Sequence, residues 1–300
     1  MCYLYGMFTL PYISTPDIRI GTCAWSFDDW KGVFYAEGLP AQQRLAFYGR
    51  KFGSLEIDST FYASPSKVTA GNWMAATPGN FVFTCKVPRE ITHVRKLRGC
   101  DELLAAFMAS IEPLKAKVGC ILIQLPSYFT IRHDEIALRE FIHRLPVGYR
   151  WAIEFRDRGW NMPRIAHLLS EHRVCWVWND ASSLEAQNEA PFRFLPQTTD
   201  FLYVRFLGDL STKYRDDGGR VHRYEKLQWP RSASLESWAV RIRQHYSEVE
   251  RVFIFANNHF EGFAPVTCRR IAESLGTGEK ASVQALDRGV KEAGQLEFAL

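Results

Sequence analysis

Eight short apolar runs punctuate the chain, at residues 18–23 (IRIGTC), 54–58 (SLEID), 81–87 (FVFTCKV), 120–125 (CILIQL), 150–155 (RWAIEF), 174–178 (VCWVW), 201–207 (FLYVRFL) and 252–257 (VFIFAN). Most are nearly continuous in apolar character, the pattern of parallel strands covered on both faces. Segments of helical periodicity separate them, at 39–52, 101–118, 138–146, 163–172 and 234–249. Asp101 and Ser234 stand where N-caps are expected, and a helix is expected to start near Pro265. Strand and helix alternating eight times predict an α/β chain with a single (β/α)8 TIM-barrel-like domain over residues 18–276. Residues 1–17 read as a loose extension and 277–300 as a tail. A doubly wound open sheet is the second choice, but its first strand should lead into a glycine-rich phosphate turn, and GTCAWSFDDW is not one.

In a barrel of this kind the chemistry sits at the carboxyl ends of the strands. Each run here ends in polar groups. Glu56 and Asp58 close the second, and Lys86 ends the third, with Arg89 and His93 beyond it. Gln124 ends the fourth, Glu154 and Arg156 the fifth, Asn179 and Asp180 the sixth, Arg205 the seventh, and Asn257, Asn258, His259 and Glu261 the eighth. Alternation puts Glu154 with Arg156 on one face, and Val82, Thr84 and Lys86 on the inward face opposite Phe83 and Cys85. Inward charges are not required for packing, because an unpaired buried charge costs several kcal/mol.

A hydrophobic content of 47% in 300 residues is ample for one large core, and a net charge of +4 permits an anionic ligand without demanding nucleic acid. The seven cysteines form no C-x-x-C pair, which points to a reduced, cytoplasmic protein without a zinc ribbon or disulfide framework. The amino-terminal apolar stretch has no Lys or Arg before Arg19 and is broken by Pro11 and Pro16, unlike a signal peptide. No run reaches the ~18 apolar residues of a membrane span.

The segment GTCAWSFDDWKGVFYAEGLPAQQRLAFYGRKFGSLEIDSTFYASPS, together with NFVFTCKVPREITHVRKL, ILIQLPSYF, WAIEFRDRGW and NNHFEGFAP, resembles the YecE-like family, domain of unknown function 72. The resemblance covers residues 18–276 and implies a TIM-barrel-like fold, loosely grouped with sugar isomerases. Many relatives end the seventh strand with Arg-x-His-Gly, whereas this chain has RFLG, with Leu207 in the histidine's place.

Three chemistries compete. Barrel glycosidases use carboxylates at the ends of strands four and seven, where this chain has Gln124 and Arg205. A divalent-metal-assisted phosphodiesterase needs more ligands than His93 and His259 supply, although a single divalent ion on Glu56, Glu154 and Asp180 remains open. The favoured reading is an isomerase or lyase for a small anionic, sugar-like molecule. Glu154 is its proton-abstracting base, with Glu56 the alternative; Lys86 and His259 stabilise an enediolate. Arg156 and Arg205 anchor the anionic end, with Gln124, Asn257, Asn258, His93, Tyr62 and Trp160 as further contacts. The alternative is a non-enzymatic protein binding a phosphorylated metabolite or nucleic acid through its basic rim. The polar segment 208–231 reads as a lid or a solvated loop.

Overall fold

The computed structural model describes residues 16–180, 194–208, 223–277, 290–291 and 295–296. The expected extension, tail and lid therefore fall largely outside the described residues. Nine strands run parallel: β1 (Asp17–Thr22), β2 (Ser54–Ile57), β3 (Val82–Lys86), β4 (Val118–Gln124), β5 (Trp151–Glu154), β6 (Val174–Trp176), β7 (Trp178–Asn179), β8 (Phe201–Phe206) and β9 (Arg251–Ala256). The main helices are α1 (Arg44–Lys51), α2 (Lys67–Ala76), α3 (Asp101–Ile111), α4 (Ile131–His143), α5 (Pro163–Glu171), α6 (Ser232–Arg243), α7 (Asn258–Glu261) and α8 (Ala264–Ser274). A short antiparallel pair, Val290–Lys291 with Gln295–Leu296, lies near the end of the chain. None of the described helices is long and apolar enough to cross a membrane.

The strands form two parallel sheets, β1-β9-β8-β7 and β2-β3-β4-β5-β6. This is an α/β fold, but the sixth apolar run does not make the single strand expected of it. Its first part, β6, pairs with β5, and after Val177 its second part, β7, pairs with β8. Part of the reason lies at Trp176, whose amide donates to the Thr198 hydroxyl (2.8 Å) and so is taken up by a side chain. The sheets also touch at their other ends. Cys23 bridges to Glu56, and the Ala24 amide reaches the Glu56 carbonyl at 2.9 Å. The approach there is close enough to require Gly21, since a Cβ would stand 2.1 Å from the Ser54 carbonyl oxygen.

Period-two alternation divides the core in two. One face of each strand (Ile18, Leu55, Phe83, Ile121, Ile153, Val204 and Ile254) packs with buried helix residues such as Leu104, Phe141, Leu169 and Trp238. The other face supplies a second buried cluster, in which Cys120, Leu122, Ala152 and Cys175 of one sheet meet Phe201, Tyr203, Phe253 and Phe255 of the other. Each fully buried Leu, Ile, Val or Phe among them contributes roughly 1.5–3 kcal/mol.

Two expected caps are corrected. Asp101 is the first residue of α3 rather than its cap, and pairs with Arg144 at 3.2 Å. Ser234 lies inside α6, because docking of Leu235, Trp238 and Ile242 carries the helix back to Ser232. The helix near Pro265 starts at Ala264, as the sequence predicts. Its amide is held by Asn258 Oδ1 (2.9 Å), not by Glu261, whose buried carboxylate takes the Arg231 amide (2.7 Å) and Arg270 (3.3 Å).

Candidate functional site

Arg205, on the inward face of β8, is fully buried at the strand ends. Its Nη1 donates to Glu154 Oε2 at the end of β5, and its Nη2 to Glu56 Oε1 on β2, each at 2.5 Å. The other oxygens are also taken. Arg156 Nε holds Glu154 Oε1, and the Tyr203 hydroxyl donates to Glu56 Oε2 at 2.6 Å. Thr84 Oγ1 lies 2.9 Å from the same hydroxyl. One guanidinium thus ties together strands of both sheets. Burial raises the pKa of Glu154, but Arg156 and Arg205 more than offset it and hold the group at about 2.

Beside this network Asp58 and His93 are partly exposed, while Lys86 is still buried. Lys86 Nζ lies 3.5 Å from Asp58 and 4.3 Å from the centre of the Phe61 ring, a salt bridge and a cation–π contact together. Burial raises the pKa of Asp58, and Lys86 and Arg205 bring it below its ordinary value. His93 is half-buried in the π-helix Glu90–Val94, with Nδ1 2.8 Å from Thr92 Oγ1 and its ring edge-on to Phe61. Burial first, then Lys86, Arg89 and Arg156, lower its pKa to about 4. The structure therefore brings together Glu56, Lys86, Glu154, Arg156, Arg205 and His93, all expected at strand ends.

Other expected contacts are committed elsewhere. His259 faces the Tyr224 hydroxyl, 2.9 Å from Nδ1, in a second polar cluster where the Tyr224 amide donates to Asp29. Asn257 caps α7 through the His259 amide, so with Asn258 on α8 both asparagine oxygens shape the turn. Trp160 is fully buried between Phe129 and Phe155, with Nε1 on the Phe129 carbonyl, and serves packing rather than contact with a ligand. Gln124 pairs in register with Glu154 and spends its amide on the Leu125 carbonyl (2.7 Å). Tyr62 is 79% exposed at the rim.

The sequence reading passed over Tyr203 and gave Asp58 no role. The signal for each was alternation, since Tyr203 is two residues before Arg205 and Asp58 two after Glu56.

The profile for the protein of unknown function DUF72 matches residues 19–290. The chain belongs to the DUF72 family. The UPF0759 protein YecE of Escherichia coli K12 is 32% identical over 139 residues, which span 46% of this chain and about half, 48%, of that protein. The UPF0759 protein YunF of Bacillus subtilis is 25% identical over 275 residues, covering 86% of this chain and 94% of its own. A crystal structure of a DUF72 family protein from Thermotoga maritima superposes with a TM-score of 0.70 at 26% identity, over 86% of this chain and 99% of that one.

In this DUF72 chain the three acids considered for a divalent ion do not form one set. Asp180 accepts the Leu207 and Gly208 amides instead. Cys23, Glu56 and Asp58 do converge, with one ligand atom of each within 4.8 Å of the others. Arg205 Nη2 stands among them, 3.9 Å from Cys23 Sγ and 3.7 Å from Asp58, so a guanidinium takes the central position. Burial and the neighbouring Glu56 also raise the Cys23 pKa, which keeps the thiol protonated.

His93 gives a direct check on these electrostatics. Its imidazole should titrate by NMR with a midpoint near 4 and stay neutral at pH 7. A midpoint near 6.5 would mean that the ring is not buried as described and that Lys86, Arg89 and Arg156 are not gathered around it.

Proposed function

We propose that the two sheets are halves of one eight-stranded, TIM-barrel-like ring. We propose further that this chain is an enzyme acting at the ring's carboxyl-end mouth, on a small anionic, sugar-like substrate, by proton transfer of the isomerase or lyase type. The Cys23–Glu56 bridge, the β6–β7 run shared by both sheets and the interior cluster drawn from both support the ring. The observation that carries the function is the charge arrangement at the strand ends. Three carboxylates (Glu56, Asp58 and Glu154) and three cations (Lys86, Arg156 and Arg205) compensate one another, with Arg156 and neutral His93 partly exposed beside them. An apolar filling of the same volume is often as stable as a buried ionic network, so stability alone does not call for these groups.

Neither Glu154 nor Glu56 keeps the role of base. Glu154, with both oxygens held by arginines and a pKa of about 2, is a poor proton acceptor at neutral pH, and both Glu56 oxygens are occupied. These two carboxylates position Arg205 and Arg156. His93, kept neutral by its burial and the surrounding cations, donates with Lys86 to the developing oxyanion, and Arg156 with exposed Arg89 holds the anionic end. The buried free thiols suit a reducing compartment, and we place the protein in the cytoplasm.

The test is a melting screen against sugar phosphates and sugar acids, with and without chelator. A true ligand at about 100 times its Kd should raise Tm by roughly 5–10 °C. Lys86→Met should abolish that shift, whereas His93→Gln should keep the shift and lose turnover. A panel without a single shift, or a shift that Lys86→Met leaves intact, would remove this reading.

A further inference from the structure

A chain of aromatic rings leads from the mouth to the outer surface. Tyr62 meets Phe61 edge-on at 5.1 Å, Phe61 meets His93 at 4.9 Å, and His93 meets Tyr128 at 6.3 Å. The outer members are open, Tyr62 at 79% and Tyr128 at 51% exposure. Packing explains Phe61 and His93 but not two large phenols left uncovered on the loops after β2 and β4, the strands on either side of β3. The arc is also cationic. Lys86 lies over Phe61, Lys96 lies over Tyr128 at 5.1 Å, and Arg89 is exposed with no ion pair among the described residues.

The backbone that carries this edge is strained in its favour. Lys96 and Leu97 both adopt left-handed conformations, with φ of 48° and 66°, where non-glycine residues are uncommon. The turn is held by the Leu97 amide on the Ile91 carbonyl (2.9 Å), by complete burial of Leu97, and by Arg98 on Asp134 (2.9 Å). That conformation leaves Lys96 Nζ 3.5 Å from the Tyr128 carbonyl, across the ring. Strain kept in place by its surroundings is typical of binding sites, as is a π-helix such as Glu90–Val94.

The geometry points to a ligand in two parts: a flat neutral ring stacked on the Tyr62–Tyr128 arc and a phosphate held by Arg89 and Lys96. The chemical class that carries both is a mononucleotide. This deepens the reading of the site above and rests on it, since the sugar between base and phosphate would lie towards Lys86 and His93. A neutral imidazole among cations offers one donor and one acceptor to a base edge without adding charge. Stacking on tyrosine tolerates any base, while the cations supply attraction for the phosphate.

Titration calorimetry of the whole chain with AMP, GMP, CMP and UMP against ribose 5-phosphate separates the two parts of the ligand. At least one nucleotide should bind about tenfold or more tightly than ribose 5-phosphate. Tyr62→Ala and Tyr128→Ala, both at open positions where the fold is not at stake, should each bring the ratio of nucleotide to ribose 5-phosphate affinity down towards one. Equal affinity for ribose 5-phosphate and every nucleotide would overturn the nucleotide assignment but leave the sugar-phosphate site standing. Failure of all five ligands would overturn it too, with the melting screen then deciding the site itself. Binding of a single-stranded 12-mer, steeply weakened by salt, without mononucleotide binding would assign the arc to polynucleotide instead.

Discussion

Arg205→Met is expected to lower the midpoint of thermal unfolding by about 10 °C or more. Breaking a buried ion pair by removing one partner costs about 3–5 kcal/mol. In a domain of this size each kcal/mol moves Tm by roughly 2–4 °C. Arg205 belongs to the severe end because it serves two fully buried carboxylates, Glu56 and Glu154, that lie on different strands. Methionine fills the space but leaves both acids facing each other without the guanidinium. Arg156 keeps one oxygen of Glu154, and Tyr203 one of Glu56, so the damage is repulsion and lost hydrogen bonds rather than an empty cavity. The decisive control neutralises everything at once: the triple variant E56Q/E154Q/R205M should regain much of the lost stability, as neutral replacements of buried ion triads often do. Wild-type melting of R205M alone would show that the three groups are not tied as described.

The second large effect is on acid stability. Glu154 has its pKa pulled from the ordinary 4.5 to about 2 in the folded chain. A depressed folded-state pKa means that the native state holds its proton less readily than the unfolded one. Its contribution is therefore present above pH 4.5 and drains away as pH falls from 4.5 towards 2. The full linkage amounts to about 3 kcal/mol, of which about 2 kcal/mol is lost between pH 6 and pH 3. Urea unfolding at those two pH values, for the wild type and Glu154→Gln, isolates the term. The wild type should lose about 2 kcal/mol more than the variant over the interval. Equal losses would mean that Glu154 ionises normally and that the arginine pair does not grip it.

Much of this site was legible because a strand reports its facing by counting in twos. That rule placed Lys86 and Glu154 on inward faces, and Thr84 with Lys86, before any partner was known. It could not say who would meet whom. Lys86 reads as a natural partner for Glu56 across neighbouring strands, yet it lies beside Asp58, because Arg205 arrives from β8 to take Glu56. Tyr203 looks like one more aromatic in an apolar run; its hydroxyl matters only because Thr84 and Glu56 stand opposite it in the folded chain. His259 and Asn258 are chemically plausible at a strand end, but the short helix α7 turns them to Tyr224 and to the start of α8. The division of the sixth run was invisible for a similar reason: it depends on the Thr198 side chain meeting Trp176. The basic character of residues 86–98 was readable as composition, while the left-handed turn at Lys96 and Leu97 was not, since neither residue type signals it.

The pairing of β1 with β9 sets a schedule for biosynthesis. Of the described strands β1 is made first, and it pairs along its whole length with β9, made about 230 residues later, with Asp17 opposite Arg251 and Thr22 opposite Ala256. At about 5–20 residues per second, its hydrogen-bonding edge stays open for roughly 10–50 s of translation. During that interval the nascent polypeptide carries an unsatisfied apolar ribbon, a natural target for holding chaperones, and only the arrival of β9 retires it.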